Sequence, residues 1–156
     1  MPTATYSALA NTTLGAAATS VTFSSIPATY RDLVLVVTAT STSSQTYCRV
    51  NGDGTNGNYF NVQMRGNSSG AQSSSDNPSI IYVFHADGDN GSAIMHFMDY
   101  SATDKHKTVL VRSNAGTGEV GAIASRWANT NAITSIEIFP NSATMDGSVA
   151  LYGIVS

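Results

Sequence analysis

Apolar residues are densest between positions 30 and 41, and this segment predicts the central strand of the fold. Its start is apolar on both alternating faces, through Leu33, Val34, Leu35, Val36 and Val37. From Thr38 onward one face turns polar, and β-branched residues of this kind favour a strand over a helix. The pattern predicts a strand buried on both sides at first and half exposed later, with Arg31 and Asp32 at the surface where it begins.

Short alternating segments, separated by Gly, Asn, Ser and Pro, predict about ten strands and no helix. The eleven candidate segments, in chain order, are 3–9, 20–23, 30–41, 46–50, 59–64, 79–85, 93–100, 107–112, 118–127, 132–139 and 148–155. Segments 46–50 and 59–64 flank an Asn-Gly and Asp-Gly loop, so we expect a hairpin there. Segments 79–85 and 93–100 predict a second hairpin. The whole pattern favours an all-β, single-domain antiparallel β-sandwich of about 8–10 strands, jelly-roll-like, over a barrel.

The segment 66–78 contains no periodic apolar residue and is rich in Ser, Gly and Asn. Polar segments of this length between strands are typically functional or mobile loops. We therefore predict a long loop here, of a role that the sequence does not define.

Composition narrows the class of protein. The 156 residues suit one domain, and the net charge is −3 with charged residues at 11%. Seven scattered basic residues predict no nucleic-acid partner, and no apolar run reaches the roughly 20 residues of a membrane helix. Cys48 is the single cysteine, which rules out an intrachain disulfide, and no basic residue precedes Arg31 as a signal peptide would require. The sequence predicts a protein that matures in a reducing cytoplasm.

The three histidines, His85, His96 and His106, do not predict a metal site. In a 79–100 hairpin the first two would lie about four residues apart along the ladder, too far to share an ion. His106, between two lysines, predicts an exposed loop residue. Segments 87–91 and 53–58 are superficially similar to calcium loops, but tight turns explain both. We expect no metal and no cofactor.

Catalytic patterns are weak throughout the sequence. Nucleophilic catalysis needs a Ser or Cys beside an oriented His, and there is no Gly-x-Ser-x-Gly elbow. Cys48 lies inside a predicted strand and is interpreted as a small buried hydrophobe. The carboxylates mostly occupy turns. We predict that the protein is not an enzyme.

Four residues around the single tryptophan are candidates for sugar or partner binding. Trp127 follows Arg126 and precedes Asn129, and this group, with Tyr59, is the candidate partner or glycan contact. Phe60 and Tyr47 are further candidates near the Gly/Asn loop. The alternative is that Trp127 closes the core at a strand end, and we favour that interpretation.

Five parts of the sequence form a distinctive set: 6–14 (YSALANTTL), 21–35 (VTFSSIPATYRDLVL), 133–139 (ITSIEIF), 150–154 (ALYGI) and the loop Asn51-Gly52-Asp53. Together they resemble small virion structural proteins of tailed bacteriophages, including phages of marine bacteria and cyanobacteria. These are strand and turn motifs, without catalytic content. The resemblance implies a jelly-roll-like β domain, often trimeric, on the capsid exterior or in a tail appendage.

The chain starts with a methionine and stops after the 150–154 segment, so we expect a free-standing virion protein assembled in the host cytoplasm. This favours a capsid decoration (cement) protein that binds and stabilises the major capsid protein lattice. The alternative is a tail fibre or appendage module that binds a host cell-surface glycan. Segments 20–23, 47–50 and 150–155, interpreted as sheet edges, carry one charge, Arg49, among them. We therefore predict a closed homo-oligomer, a trimer as the resemblance implies.

Overall fold

The computed structural model describes residues 4–85, 88–116 and 118–155, which form twelve β-strands and no helix. The strands are β1 (Tyr6–Thr13), β2 (Val21–Phe23), β3 (Asp32–Ser41), β4 (Thr46–Val50), β5 (Tyr59–Asn67), β6 (Gly70–Asp76), β7 (Ile81–Phe84), β8 (Asn90–Met98), β9 (Lys107–Ala115), β10 (Val120–Trp127), β11 (Ile136–Pro140) and β12 (Met145–Ile154). Two antiparallel sheets pack as a sandwich around one apolar core, which confirms the predicted fold class.

The strand order is that of a jelly roll with two inserted hairpins. In the large sheet the order is β1-β12-β3-β8-β9-β10-β5-β6, and in the small sheet it is β2-β11-β4-β7. Strands β1-β12-β3-β8 and β2-β11-β4-β7 are the two four-stranded halves of a jelly roll, in which the chain passes repeatedly from one sheet to the other. The hairpins β5–β6 and β9–β10 extend only the large sheet.

The predicted central strand is confirmed as β3, which pairs with β12 on one side and β8 on the other. Leu33, Leu35 and Val37 are fully buried against the small sheet, while Val34 is half-buried on the opposite face. The expectation that Asp32 lies at the surface is wrong. Its side chain is buried because Arg31, His96 and the backbone of Asp99 all bind its carboxylate.

Both predicted hairpins are wrong, for one topological reason. β4 pairs with β11 and β7, whereas β5 pairs with β10 and β6 in the other sheet. β7 and β8 likewise lie in different sheets. The turn sequences therefore carry the chain across the sandwich rather than back along a neighbouring strand. At the second crossing the Phe84 ring packs onto Gly91, where any Cβ would overlap it.

The predicted long loop at 66–78 is also wrong, because most of this segment is strand. β5 continues to Asn67, and β6 returns from Gly70 to Asp76 as its partner. β6 buries none of its residues, so its sequence shows no apolar period. Backbone pairing with β5 holds it at the edge of the sheet, together with side-chain hydrogen bonds to Gln72 and Asp76. β1 runs to Thr13, beyond the predicted end at 9, and the predicted start at Thr3 lies outside the described residues.

The four edge strands are β1 and β6 in the large sheet and β2 and β7 in the small sheet. Of the predicted edges, 20–23 corresponds to β2, but 47–50 and 150–155 lie in the interior strands β4 and β12. Asp76 is the single charged residue on the four edge strands. No helix in the described part of the chain has the length and apolar character to span a membrane.

Candidate functional site

The predicted aromatic site is a buried cap on the core. Trp127 and Tyr59 are paired across β10 and β5, and they are 1% and 0% exposed. Their rings present no face to solvent, so the structure contradicts a sugar platform at these two residues and agrees with the core interpretation of Trp127. The buried Lys107, at the start of β9, lies in register with Trp127 and closes the same end of the sheet.

Asp53 anchors the 51–58 loop onto this cap. Its carboxylate accepts hydrogen bonds from Trp127 Nε1 at 2.7 Å, Asn58 Nδ2 at 2.9 Å and the Thr55 backbone N–H at 3.0 Å. The Tyr59 hydroxyl donates to the Asp53 backbone carbonyl at 3.0 Å. Desolvation by burial opposes ionisation of Asp53, but the three donors outweigh it and lower its pKa to about 2. Hydrogen bonds to both oxygens of the Asp53 carboxylate thus hold the 51–58 loop against the buried cap.

Lys107 is a buried cation that sequence reasoning missed. Its Nζ donates to the backbone carbonyls of Lys105 at 2.9 Å and Thr130 at 3.2 Å, which joins two loops at the end of the sheet. Burial lowers the pKa of Lys107. Its position at a strand end between polar segments gives the sequence no signal that distinguishes it from an exposed lysine.

Arg126 and Asn129 do not join Trp127 and Tyr59 in one site. Neighbouring residues on a strand point to opposite faces, so Arg126 is exposed on the outside of the large sheet, in register with Phe60. Asn129 follows the end of β10, and its Oδ1 accepts the backbone N–H of Asn131 at 2.8 Å. The four candidate residues are therefore divided between a buried cap, an outer sheet face and a turn.

The histidines lie in three separate environments. His96 Nε2 is 3.1 Å from Asp32 Oδ2, and His106 is exposed as predicted. His85 stacks on Tyr82 with ring centroids 6.0 Å apart. Desolvation by burial acts to raise the pKa of Asp32, but the Asp99 N–H, His96 and Arg31 together lower it. Within the described ranges no three His, Cys, Asp or Glu side chains are placed to hold a metal, and Asp87 of the calcium-like turn lies outside them.

Three half-buried aromatic rings lie together on the outside of the small sheet. Tyr47 meets Tyr82 and Phe139 edge to face, at centroid distances of 5.6 and 5.8 Å. The Arg49 guanidinium lies 4.7 Å over the Phe139 ring, and the Tyr82 hydroxyl donates to Asp76 at 2.8 Å. We call Tyr47, Tyr82 and Phe139 the aromatic cluster. Of these, the sequence singled out Tyr47 alone.

The outside of the large sheet carries the main exposed apolar surface. We define the outer face as the outward-pointing residues of strands β3, β8, β9, β10 and β5. Its large apolar members include Phe60, Val62, Met64, Ile94, Met98, Leu110 and Val120, between 39% and 62% exposed. Ala122 and Ala124 of β10 lie between β5 and β9 in this face. Because their side chains are small, the centre of the face is lower than its surroundings. A surface of this extent and character is typical of an interaction site.

β5 shows why this face is unusual. Apolar Phe60, Val62 and Met64 alternate with polar Asn61 and Gln63, a pattern that predicts the apolar side chains facing the core. The structure has the opposite arrangement, with the two amides buried and the three apolar side chains exposed. A one-residue shift in register would exchange the two faces, so the Tyr59–Trp127 pair at the strand start fixes the observed one.

Only part of the cost of burying these amides is recovered inside the sandwich. Asn61 Nδ2 donates to the Ile80 carbonyl at 3.0 Å, and its Oδ1 accepts the Ser125 hydroxyl at 2.6 Å. Gln63 Oε1 is buried without a hydrogen-bond partner in the described part of the chain. A buried polar atom of this kind costs free energy, so the arrangement of β5 is unfavourable for the isolated protein.

Comparisons with known proteins give no family. No protein-family model matches the sequence, and no curated protein matches it. Among solved structures the chain is similar to an exo-inulinase from Aspergillus awamori, with a TM-score of 0.44 and 13% identity over 97% of this chain and 29% of that one. It is also similar to an alginate lyase solved with an alginate tetrasaccharide, with a TM-score of 0.26 and 10% identity over 78% of this chain and 69% of that one. The chain thus spans less than a third of the inulinase, and similarities this distant do not bear on function.

Proposed function

We propose that this chain is a structural protein of a tailed-bacteriophage virion, a capsid decoration (cement) protein that binds the major capsid protein lattice through its outer face. The observation that carries the proposal is the inverted burial of β5, where Phe60, Val62 and Met64 face solvent while Asn61 and Gln63 are buried. The resemblance of the strand and turn segments to phage virion proteins supports the identity of the partner. The location that follows is the capsid exterior, reached by assembly in the host cytoplasm.

Energetics support a covered outer face. Full burial of a large apolar side chain stabilises by roughly 1.5–3 kcal/mol. Phe60 and Val62 are 40% and 44% exposed, and Met64 is 62% exposed, so much of that gain is left unused in the isolated protein. A partner that covers the face recovers it, minus the entropy cost of association.

We also propose that the protein is a closed homo-oligomer, a trimer as the resemblance implies, joined through sheet edges. An edge strand that faces solvent presents unpaired backbone N–H and C=O groups. Natural proteins protect such strands with charged residues, proline or a covering partner. Asp76 is the only charge on β1, β2, β6 and β7. Edge pairing between copies leaves the outer face free for the capsid.

A binding role without catalysis is part of the proposal. Cys48 is fully buried, and burial raises the pKa of its thiol, so it is a poor nucleophile. His96 has a carboxylate partner in Asp32, but in the described residues no hydroxyl or thiol is hydrogen-bonded to its ring. Among the described residues, the polar groups that are close together bind one another and leave no open reactive cluster.

Cryo-EM of intact particles of the phage that encodes the chain tests the proposal. We expect density for a sandwich of eight and four strands on the capsid exterior, with the large sheet facing the lattice. Density in a tail fibre would contradict decoration and favour the glycan-binding alternative. Absence of the chain from purified particles, checked by mass spectrometry, would show the proposal to be wrong.

The second candidate is the tail fibre or appendage module that binds a host cell-surface glycan, now through the aromatic cluster. The specific observation is the group of three half-buried rings on the small sheet, with the polar Arg49 and Asp76 beside them. If it is correct, Tyr82→Ala should abolish binding to host cells and keep the fold. The matched control is Tyr6→Ala, which removes an exposed tyrosine from the large sheet.

A further inference from the structure

Two arginines on the outer face have no carboxylate partner among the described residues, in contrast to the other three arginines. Arg31, Arg49 and Arg65 each pair with a carboxylate, at 3.0, 3.7 and 3.5 Å. Arg112 and Arg126 are exposed, and in the described part of the chain neither has a carboxylate oxygen within 4.0 Å. The guanidinium groups of Arg112 and Arg126 are therefore available to an external partner.

The sheet fixes the spacing of the two arginines. Arg112 on β9 is in register with Ala122, and Arg126 lies four residues farther along β10. At roughly 3.4 Å per residue and 4.8 Å between strands, their Cα atoms are about 14 Å apart. Leu110 and Ala124 lie between them in register, so the two charges flank an apolar centre.

The outer face contains no accessible carboxylate that would complement a second copy. The outward residues of its five strands include one acidic side chain, Asp32, which is buried beneath Arg31 and His96. Two copies packed face to face would bring four arginines together without an acid. A partner that is apolar and carries carboxylates complements both properties of the face, and such pairs give specificity at protein interfaces.

The size of the face suits a protein partner. Five strands at about 4.8 Å spacing, each about 30 Å long, give roughly 700 Å², close to the 800 Å² that each side contributes to a standard interface. The low alanine centre favours a flat partner surface.

Resting on the proposed function, we infer that the outer face binds a flat, apolar surface of another virion protein that presents two carboxylates about 14 Å apart, one for Arg112 and one for Arg126. Leu110 and Val62 contact the apolar surface between them. The two arginines set the register of docking, while the apolar side chains supply most of the affinity.

The test compares two double variants that each remove two positive charges. Arg112→Gln/Arg126→Gln changes the outer face, and the control Arg65→Gln/Lys105→Gln changes the inner side of β5 near its end and an exposed loop. The probe is the capsid particle assembled without this chain, and binding is measured by co-sedimentation with particles. We expect the outer-face variant to lose affinity at least about tenfold, and the control to bind as the unaltered protein does. Binding of the unaltered protein should weaken more steeply with salt than binding of the outer-face variant.

Each other outcome overturns the inference in a distinguishable way. Equal particle binding by all three proteins would refute the paired-carboxylate partner and leave the capsid role intact. No particle binding by the unaltered protein would refute both. A change of oligomeric state in the outer-face variant, seen by sedimentation velocity without particles, would show that a second copy occupies the face. Circular dichroism and urea unfolding of the variants verify that each one is folded.

Discussion

The carboxylate of Asp53 is the best single point at which to test how the loop closure stabilises the fold. All three groups that contact it, Trp127 Nε1, Asn58 Nδ2 and the Thr55 N–H, are hydrogen-bond donors. In Asp53→Asn the side chain keeps its shape but replaces one oxygen with an amide NH₂. That NH₂ must face a donor, whichever way the amide is turned.

The expected cost follows from this geometry. Hydrogen bonds to a charged group contribute roughly 1.5–3 kcal/mol each, against roughly 0.5–1.5 kcal/mol for neutral ones. The Asp53→Asn change loses one bond outright and weakens the others, while the loop retains the Tyr59 hydroxyl bond to the backbone carbonyl. We expect the free energy of unfolding at pH 7 to fall by about 2–3 kcal/mol.

The pH dependence gives a second, independent signature. The pKa of Asp53 is lowered to about 2 in the folded protein, against roughly 3.9 in the unfolded chain. Because the folded protein holds Asp53 ionised more strongly than the unfolded chain does, the ionised carboxylate stabilises the fold above about pH 4. This stabilisation is lost as the pH falls from about 4 to 2. After allowance for solvent screening the lost contribution is roughly 1–2 kcal/mol. Asp53→Asn has no such group, so the difference in stability between the two proteins should shrink over that interval.

Urea unfolding at pH 7, 5, 3 and 2 measures both effects. Unfolding is monitored by circular dichroism and by the fluorescence of Trp127, the single tryptophan. The control is Asp146→Asn, which neutralises an exposed carboxylate on β12. Equal stability of Asp53→Asn and the unaltered protein at pH 7 would refute the anchoring role. A stability difference that stays constant from pH 5 to pH 2 would refute the lowered pKa.

Three further predictions address the core and the assembly. Leu35→Ala should lower the free energy of unfolding by roughly 2–5 kcal/mol because Leu35 is fully buried in the central strand, and a urea midpoint equal to that of the unaltered protein would be inconsistent with this. Trp127→Ala should cost roughly 3–5 kcal/mol, whereas a variant of full stability that no longer binds host cells would favour the glycan-binding function. Sedimentation at micromolar concentration should give one closed oligomer at both 0.1 and 1 M salt, across which the Debye length falls from about 10 to 3 Å, since the edge strands carry one charge; a monomer at both would rule out intrinsic assembly.

The sequence predicted a strand correctly where the residues of that strand alone indicate its position in the sheet. The apolar, β-branched run at 33–37 predicted β3 because such residues suit an interior strand, and in the structure its inner face is fully buried while Val34 and Val36 on its outer face are half-buried. Sequence reasoning failed on pairing, since Asn-Gly and Asp-Gly turns specify a change of direction and leave the partner strand undetermined. In a jelly roll the strand after such a turn can lie in the opposite sheet, as β5 does after β4.

The candidate site was harder to predict, for a related reason. Trp127 and Arg126 are neighbours in sequence, and the strand places them on opposite faces of the large sheet. The alternation of apolar and polar residues in β5 indicates the apolar outer face only when the pairing register of the strand is known. Read alone, Phe60, Val62 and Met64 predict a core face, and the pairing of Tyr59 with Trp127 shows that they point outward.

The inserted hairpins connect the topology to the outer face. The eight jelly-roll strands already form two opposed four-stranded sheets, and β9-β10-β5-β6 extend the large sheet alone. On their inner side these strands add Tyr59 and Trp127 to the core, but their outer side has no layer of the same chain above it. Arg112 and Arg126, which have no carboxylate partner in the part of the chain that the structure describes, lie on β9 and β10, and most of the large exposed apolar residues lie on β9, β10 and β5. A sandwich that only needed to fold could expose polar residues there, and the apolar composition of the added strands is the reason for proposing a partner that covers them.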